Sequence, residues 1–89
     1  MFFDYDAAKS LQNKQKYGID FEYVQQLWND VRYVEAQAKA VGEPRFMAIG
    51  TINGKCWSVI IAKRGNKTRI ISARRSREEE IELYEDIGI

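Results

Sequence analysis

The sequence predicts an α+β domain: an antiparallel sheet of about four to five strands, two N-terminal helices packed on one face, and a short C-terminal helix. Three observations carry that expectation. Asn53-Gly54 stands between two apolar runs, and this dipeptide is the favoured centre of a type I′ hairpin turn. Phe21, Val24, Leu27 and Trp28 recur at the spacing of one apolar helical face. The length, 89 residues, suits one domain over residues 1–89 and leaves no room for a second core.

Taken in order, Phe2 to Tyr5 is a short aromatic strand. Asp6 caps a helix that reaches Tyr17, and Gly18 stops it as a C′ glycine. Asp20 caps the second helix. Val31 to Gln37 is a strand, followed by a loop from Ala38 to Glu43 with turn chemistry at Gly42 and Pro44. A two-residue turn at Asn53-Gly54 pairs Ile52 with Lys55, Gly50 with Trp57, Ala48 with Val59 and Phe46 with Ile61, so small faces large on the core side. Gly65-Asn66 closes a second hairpin and returns Thr68 to Ala73. That register sets Ile61 against Ile70 and Val59 against Ser72 on the core face, with Ala62 against Arg69 and Ile60 against Ile71 on the other. Ser76-Arg77-Glu78-Glu79 has capping-box spacing and starts a terminal helix through about Tyr84.

Apolar residues make up 45% and charged residues 30% of the chain, the balance of a folded domain. No apolar run approaches the ~20 residues of a membrane span, and the opening Met-Phe-Phe-Asp-Tyr-Asp lacks the layout of a signal peptide. A cytoplasmic protein with no membrane partner is expected. The one cysteine, Cys56, cannot form an internal disulfide, and without any histidine a Cys/His zinc site is excluded. We expect no metal and no cofactor.

The net charge of +1 conceals a segregation. Lys63, Arg64, Lys67, Arg69, Arg74, Arg75 and Arg77 form a run without an acid, and Glu78, Glu79, Glu80, Glu82, Glu85 and Asp86 follow at once. A basic stripe on one face is the footprint of a phosphate binder. The plain alternative is a solvated strand end before a helix whose first-turn acids suit its dipole. The registers draw the basic residues together. Arg45 lies opposite Ala62 and Ala62 opposite Arg69, so two guanidinium groups flank a methyl group, and Arg64 and Lys67 continue that face toward the turn. Arginine's planar fork binds phosphate through two hydrogen bonds, which makes Arg45, Arg64, Lys67 and Arg69 the candidate RNA-binding set. Alternatively, the arginine stems merely cover Met47, Ile60 and Ile71. Strand parity places Arg75, rather than Arg74, on the same open face.

Several segments, in order and spacing, resemble the BrnT-type toxins nearly end to end. These are Phe3-Asp4-Tyr5-Asp6-Ala7-Ala8-Lys9, Asn13-Lys14-Gln15-Lys16-Tyr17-Gly18-Ile19, Asp20-Phe21-Glu22, Glu43-Pro44-Arg45-Phe46-Met47-Ala48-Ile49-Gly50 and Arg69-Ile70-Ile71-Ser72-Ala73-Arg74-Arg75-Ser76, with Glu79 and Tyr84-Glu85 following. The resemblance implies a RelE-like fold and a bacterial type II toxin that cleaves RNA and is silenced by a cognate antitoxin. It further implies that the antitoxin joins a toxin-wrapping segment to a dimeric DNA-binding domain, so that DNA is met only through the partner. Arg45, Arg69, Arg74 and Arg75, with Arg64, are the residues it carries over. The family usually has histidine where this chain has Tyr17.

Metal-free RNA cleavage requires a deprotonated 2′-hydroxyl, a stabilised phosphorane and a protonated leaving oxygen, and no histidine is present to serve any of these. Arginine electrostatics and positioning then carry the reaction. Arg69 acts as a clamp with Arg45, Arg74 or Arg75 stabilises the transition state, and Glu43 and Tyr84 are the candidate proton-transfer groups. Two other functions fit the missing histidine: a non-catalytic RNA-binding protein, and an antitoxin-like partner-binding module whose basic face meets an acidic protein.

Overall fold

Residues 2–39 and 42–87 are described by a computed structural model. The chain runs β1 (Phe2–Asp4), α1 (Ala7–Tyr17), a 3-10 helix (Tyr23–Asn29), β2 (Val34–Ala38), β3 (Arg45–Ile52), β4 (Lys55–Arg64), β5 (Lys67–Arg75) and α2 (Glu78–Ile87). The strands form one five-stranded sheet in the order β1-β5-β4-β3-β2.

Two parts of the expected architecture are corrected. The sheet is mixed rather than antiparallel, because β1 lies parallel to β5, with Phe2 beside Lys67 and Asp4 beside Arg69. A three-residue strand whose partner lies more than sixty residues away shows neither its direction nor its register in the sequence. The second expected N-terminal helix is a 3-10 helix, so there is one N-terminal α-helix and not two. Phe21, Val24 and Leu27 are all buried and recur strictly every third residue, the period at which 3-10 side chains eclipse on one face. Asp20 is not its N-cap, a position that falls at Glu22, but Asp20 Oδ1 does accept the N–H of Tyr23, the first residue of the 3-10 helix, at 2.7 Å.

The other local expectations rest on visible geometry. Asp6 Oδ1 accepts the Ala8 and Lys9 N–H groups at the start of α1, and Gly18 closes it at φ +81 with its N–H on Lys14 O. Asn53 and Gly54 both have positive φ, as a type I′ turn demands. All four predicted β3–β4 pairs are observed. The strand expected from Val31 begins only at Val34, since Asp30 Oδ1 accepts the Arg32 N–H and turns the chain there. Part of the expected Ala38–Glu43 loop, residues 40 and 41, lies outside the described residues.

The core occupies one face of the sheet. Ile19, Phe21, Val24 and Leu27 pack against Ala48, Val59, Ile61, Ile70 and Ala73. Gly50 lets the 3-10 helix approach: a Cβ there would stand 2.9 Å from Leu27 Cγ and 3.1 Å from Tyr33 Cβ. The side chain of Asn13 in α1 serves as a substitute strand partner beyond the end of β1. It donates to Ala73 O at 2.9 Å and accepts the Ala73 N–H at 3.1 Å, satisfying backbone groups that would otherwise lie unpaired on the edge.

The β4–β5 register holds as expected for Ala62 with Arg69 and Ile61 with Ile70, and then shifts. Ile60 pairs with Ser72 and Val59 with Ala73, leaving Ile71 as one extra residue in β5. A β-bulge of this kind exchanges the faces of everything beyond it. Arg74 therefore stands opposite Ser58 on the face away from the main core, and Arg75 opposite Trp57 on the core face, which reverses the expected parity.

Candidate functional site

The face of the sheet away from the core is divided between two environments. At one end Arg45, Ala62 and Arg69 form the cross-strand row that the hairpin registers require. Ala62 has no exposed surface, as befits a methyl group lying between two arginine stems. The row opens into a cleft of about 210 Å³ lined by Asp6, Lys9, Glu43, Arg45, Arg64 and Arg69 over Ile70 and Ile71. Lys9 comes from the first turn of α1, Glu43 from the segment leading into β3, and the arginines from three strands.

Carboxylates hold two of these arginines. Arg69 Nη1 donates to Asp4 Oδ2 at 2.7 Å, a consequence of the parallel pairing that sets Asp4 beside Arg69. Arg64 grips Glu43 through Nη2 to Oε1 at 2.9 Å and Nε to Oε2 at 3.2 Å. The Arg64 hydrogen bonds keep the Glu43 carboxyl below its ordinary range, and Arg69 does the same for Asp4, so both acids are ionised at neutral pH. Arg45 differs: its Nε is buried and has no hydrogen-bond partner. Leaving such a donor unsatisfied costs about 1–3 kcal/mol. The Arg64–Glu43 pair is exposed and the Arg69–Asp4 pair half-buried; solvent-facing pairs contribute little on their own and can exchange a carboxylate for a phosphate.

The other end of the face is covered by α2, which packs on β3. Arg74 forms a two-pronged ion pair with Glu80, Nη1 to Oε1 at 2.8 Å and Nη2 to Oε2 at 2.7 Å. Glu80 Oε1 also accepts the Ser58 hydroxyl and the Arg77 N–H, each at 2.9 Å. Arg74, followed by these other hydrogen bonds, holds the Glu80 carboxyl at about 2. The capping interaction expected at Glu79 is thus made one residue later, from Glu80 to Arg77. A second junction centres on Asp30, whose Oδ2 accepts Thr51 N–H and Oγ1 at 2.9 Å and Tyr84 OH at 2.6 Å. Burial opposes the charge on Asp30, but these bonds and the one from Arg32 N–H outweigh it and hold the carboxyl at about 2. The same contact raises the pKa of Tyr84.

Of the residues named from sequence, the cleft gathers Arg45, Arg64, Arg69 and Glu43. Lys67 lies at the hairpin end of the same face, exposed and outside the cleft lining. Arg74 is engaged with Glu80, Arg75 lies over the Trp57 ring at 5.5 Å, and Tyr84 is bound to Asp30; none of the three lines the cleft. Sequence reasoning passed over Lys9 and Asp6 in the lining, Asp4 as the partner of Arg69, and Asp30 and Glu80 as anchors of α2. Asp4 sat within the recognisable opening segment. The bulge at Ile71 left no signal, since Ile-Ile-Ser reads as unbroken strand.

Among the described residues, no helix is long and apolar enough to cross a membrane. Comparison with curated proteins yields no match. The profile of a family described as "Ribonuclease toxin, BrnT, of type II toxin-antitoxin system" matches residues 5–80, which include Glu43, every arginine of the cleft, and both anchors of α2. With the fold in place and most of its length matched, the chain belongs to the BrnT family of ribonuclease toxins, the toxin side of type II systems in which each toxin has a cognate antitoxin.

Proposed function

We propose that this toxin is an endoribonuclease whose arginine cleft binds the scissile phosphate and stabilises its transition state without a metal ion. One observation carries the reading: Arg45, Arg64, Arg69 and Lys9 line one cleft, and Arg64 and Arg69 are held there by carboxylates that a phosphate could replace. A phosphate oxygen would compete with Asp4 for Arg69, and Arg45 would add its charge from the other side of Ala62. Lys9 adds a fourth cation, from α1, to the three arginines.

In the reaction the RNA 2′-oxygen forms a bond to phosphorus and the bond to the 5′-oxygen breaks. The hydroxyl proton passes to a base, the 5′-oxygen takes up a proton, and a 2′,3′-cyclic phosphate and a 5′-hydroxyl result. Glu43 is the carboxylate in the cleft that could accept the first proton. Its contact with Arg64 makes it a weak base, so the rate rests mainly on stabilising the phosphorane charge, where loss of one donor typically costs about 10²–10³ in kcat. The cognate antitoxin neutralises the toxin and carries the DNA-binding domain, so contact with DNA runs through the partner. Incubation of purified protein with RNA in chelator tests the reading. Cleavage that is lost in Arg69→Ala and Arg45→Ala supports it, and intact RNA with wild-type protein overturns it.

The absence of histidine favours one second reading, a non-catalytic RNA binder. It would show salt-sensitive RNA binding with no cleavage under the same conditions.

A further inference from the structure

Beside the arginine cleft lies a groove of about 240 Å³ lined by Lys9, Gln12, Asn13, Lys16, Tyr17 and Ile71. Lys9 and Ile71 line both cavities, so the two adjoin at the start of α1 and the bulge in β5. We infer that this groove is a second RNA subsite, in which Tyr17 stacks on a base one nucleotide beyond the two that flank the scissile phosphate while Lys9 and Lys16 hold the backbone on either side. The inference rests on the RNA reading of the cleft and extends it along the strand.

The chemistry of the lining supports a nucleic acid. No acid lines the groove, whereas the groove around Tyr23 is lined by Asp20 and Glu22. Tyr17 is 40% exposed, leaving ring surface for an incoming base. Lys16 Nζ already lies 5.2 Å from the ring centroid, so a cation stands where the phosphate of a stacked nucleotide would need one. Lys9 and Lys16 are two helical turns apart, about 10 Å along α1, and both face the groove. Aromatic platforms flanked by basic residues bind single strands through stacking that tolerates any base. Here, too, discrimination is expected to be weak. The Asn13 amide is committed to Ile19 O, Ala73 O and Ala73 N–H, which leaves Gln12 as the one lining amide available for a base edge.

The test compares two non-cleavable 2′-O-methyl RNAs, a dinucleotide and an oligomer of about ten nucleotides, within the range of single-strand site sizes. Binding is measured for the wild type, Tyr17→Ala, Tyr17→Phe and, as a control for loss of an exposed tyrosine, Tyr23→Ala. Tyr17→Ala is expected to weaken the oligomer about tenfold, within the span of single stacking contacts, and to leave the dinucleotide unchanged. Tyr17→Phe and Tyr23→Ala should bind both RNAs like wild type. Oligomer affinity in Tyr17→Ala equal to wild type overturns the subsite, as does a loss in Tyr17→Phe as large as in Tyr17→Ala, which would assign the effect to the hydroxyl instead of the ring. A polyglutamate peptide provides the protein alternative: if it too loses about tenfold on Tyr17→Ala, the groove is a general surface for acidic chains and the stacking assignment falls. Wild-type protein that binds neither RNA overturns the RNA reading of the cleft itself. Binding of both RNAs without a Tyr17 effect removes only the subsite.

Discussion

Arg69 and Arg74 lie five residues apart in one strand, face the same side of the sheet, and each hold a carboxylate at 2.7 Å. Their surroundings separate them. Asp4, the partner of Arg69, keeps 40% of its side-chain surface, and Arg69 lines the cleft. Glu80, the partner of Arg74, keeps only 11% of its side-chain surface and answers to Ser58 and Arg77 as well. One arginine is placed to exchange its anion for a ligand, while the other fastens α2 to the sheet. A basic run in sequence therefore contains two different devices, divided by a single bulged residue.

The largest effect that can break this contrast is on stability at the α2 end. Glu80→Gln removes one member of a mostly buried ion pair and should cost about 2–4 kcal/mol in denaturant unfolding. The double variant Arg74→Met/Glu80→Leu should recover much of that loss, because no unpaired charge remains. Asp30→Asn comes next, at about 1–3 kcal/mol, since Asp30 ties Thr51 and Tyr84 to the end of the 3-10 helix.

The same two acids set the acid limb of the stability curve. Glu80 falls from an ordinary 4.5 to about 2 on folding and Asp30 from 3.8 to about 2. A carboxyl whose pKa is depressed by folding contributes stability that is fully present above its unfolded pKa and is lost as pH falls through its folded one. Unfolding free energy should therefore decline between about pH 4.5 and 2, and Glu80→Gln should flatten that decline, as followed by circular dichroism.

Gly50→Ala sharpens the account of the core. Its new methyl would meet Leu27 and Tyr33, and overpacking of this sort costs about 1–3 kcal/mol. The smallest effect belongs to the cleft. Asp4→Asn removes the competitor for Arg69 and should tighten RNA binding at low salt, with a smaller loss of stability than Glu80→Gln because Asp4 is more open than Glu80. Weaker RNA binding in this variant would contradict the view that phosphate displaces the carboxylate.

Much of the fold was legible because its signals are local. Asn53-Gly54 has the turn chemistry that sets the β3–β4 register, and Asp6 and Gly18 mark the ends of α1. The Arg45-Ala62-Arg69 row followed from the two turns alone. What escaped depended on distant contacts. β1 is too short to reveal its parallel partner, and the three-residue spacing of Phe21, Val24 and Leu27 fits an α-helical face nearly as well as a 3-10 one. The bulge at Ile71 carries no glycine to announce it, so the residues beyond it were assigned to the wrong faces. The partners Asp4 and Glu80, which distinguish the two arginines, became visible only once β1 and α2 were in place.

The most direct measurement compares RNA cleavage by Arg69→Ala and Arg74→Lys, each assayed under conditions where circular dichroism shows it folded. We expect Arg69→Ala to lose about 10²–10³ in kcat with its unfolding nearly unchanged, and Arg74→Lys to unfold more readily while cleaving at close to the wild-type rate. Full activity in folded Arg69→Ala, together with its loss in folded Arg74→Lys, would place the chemistry at the α2 end and contradict the division drawn here.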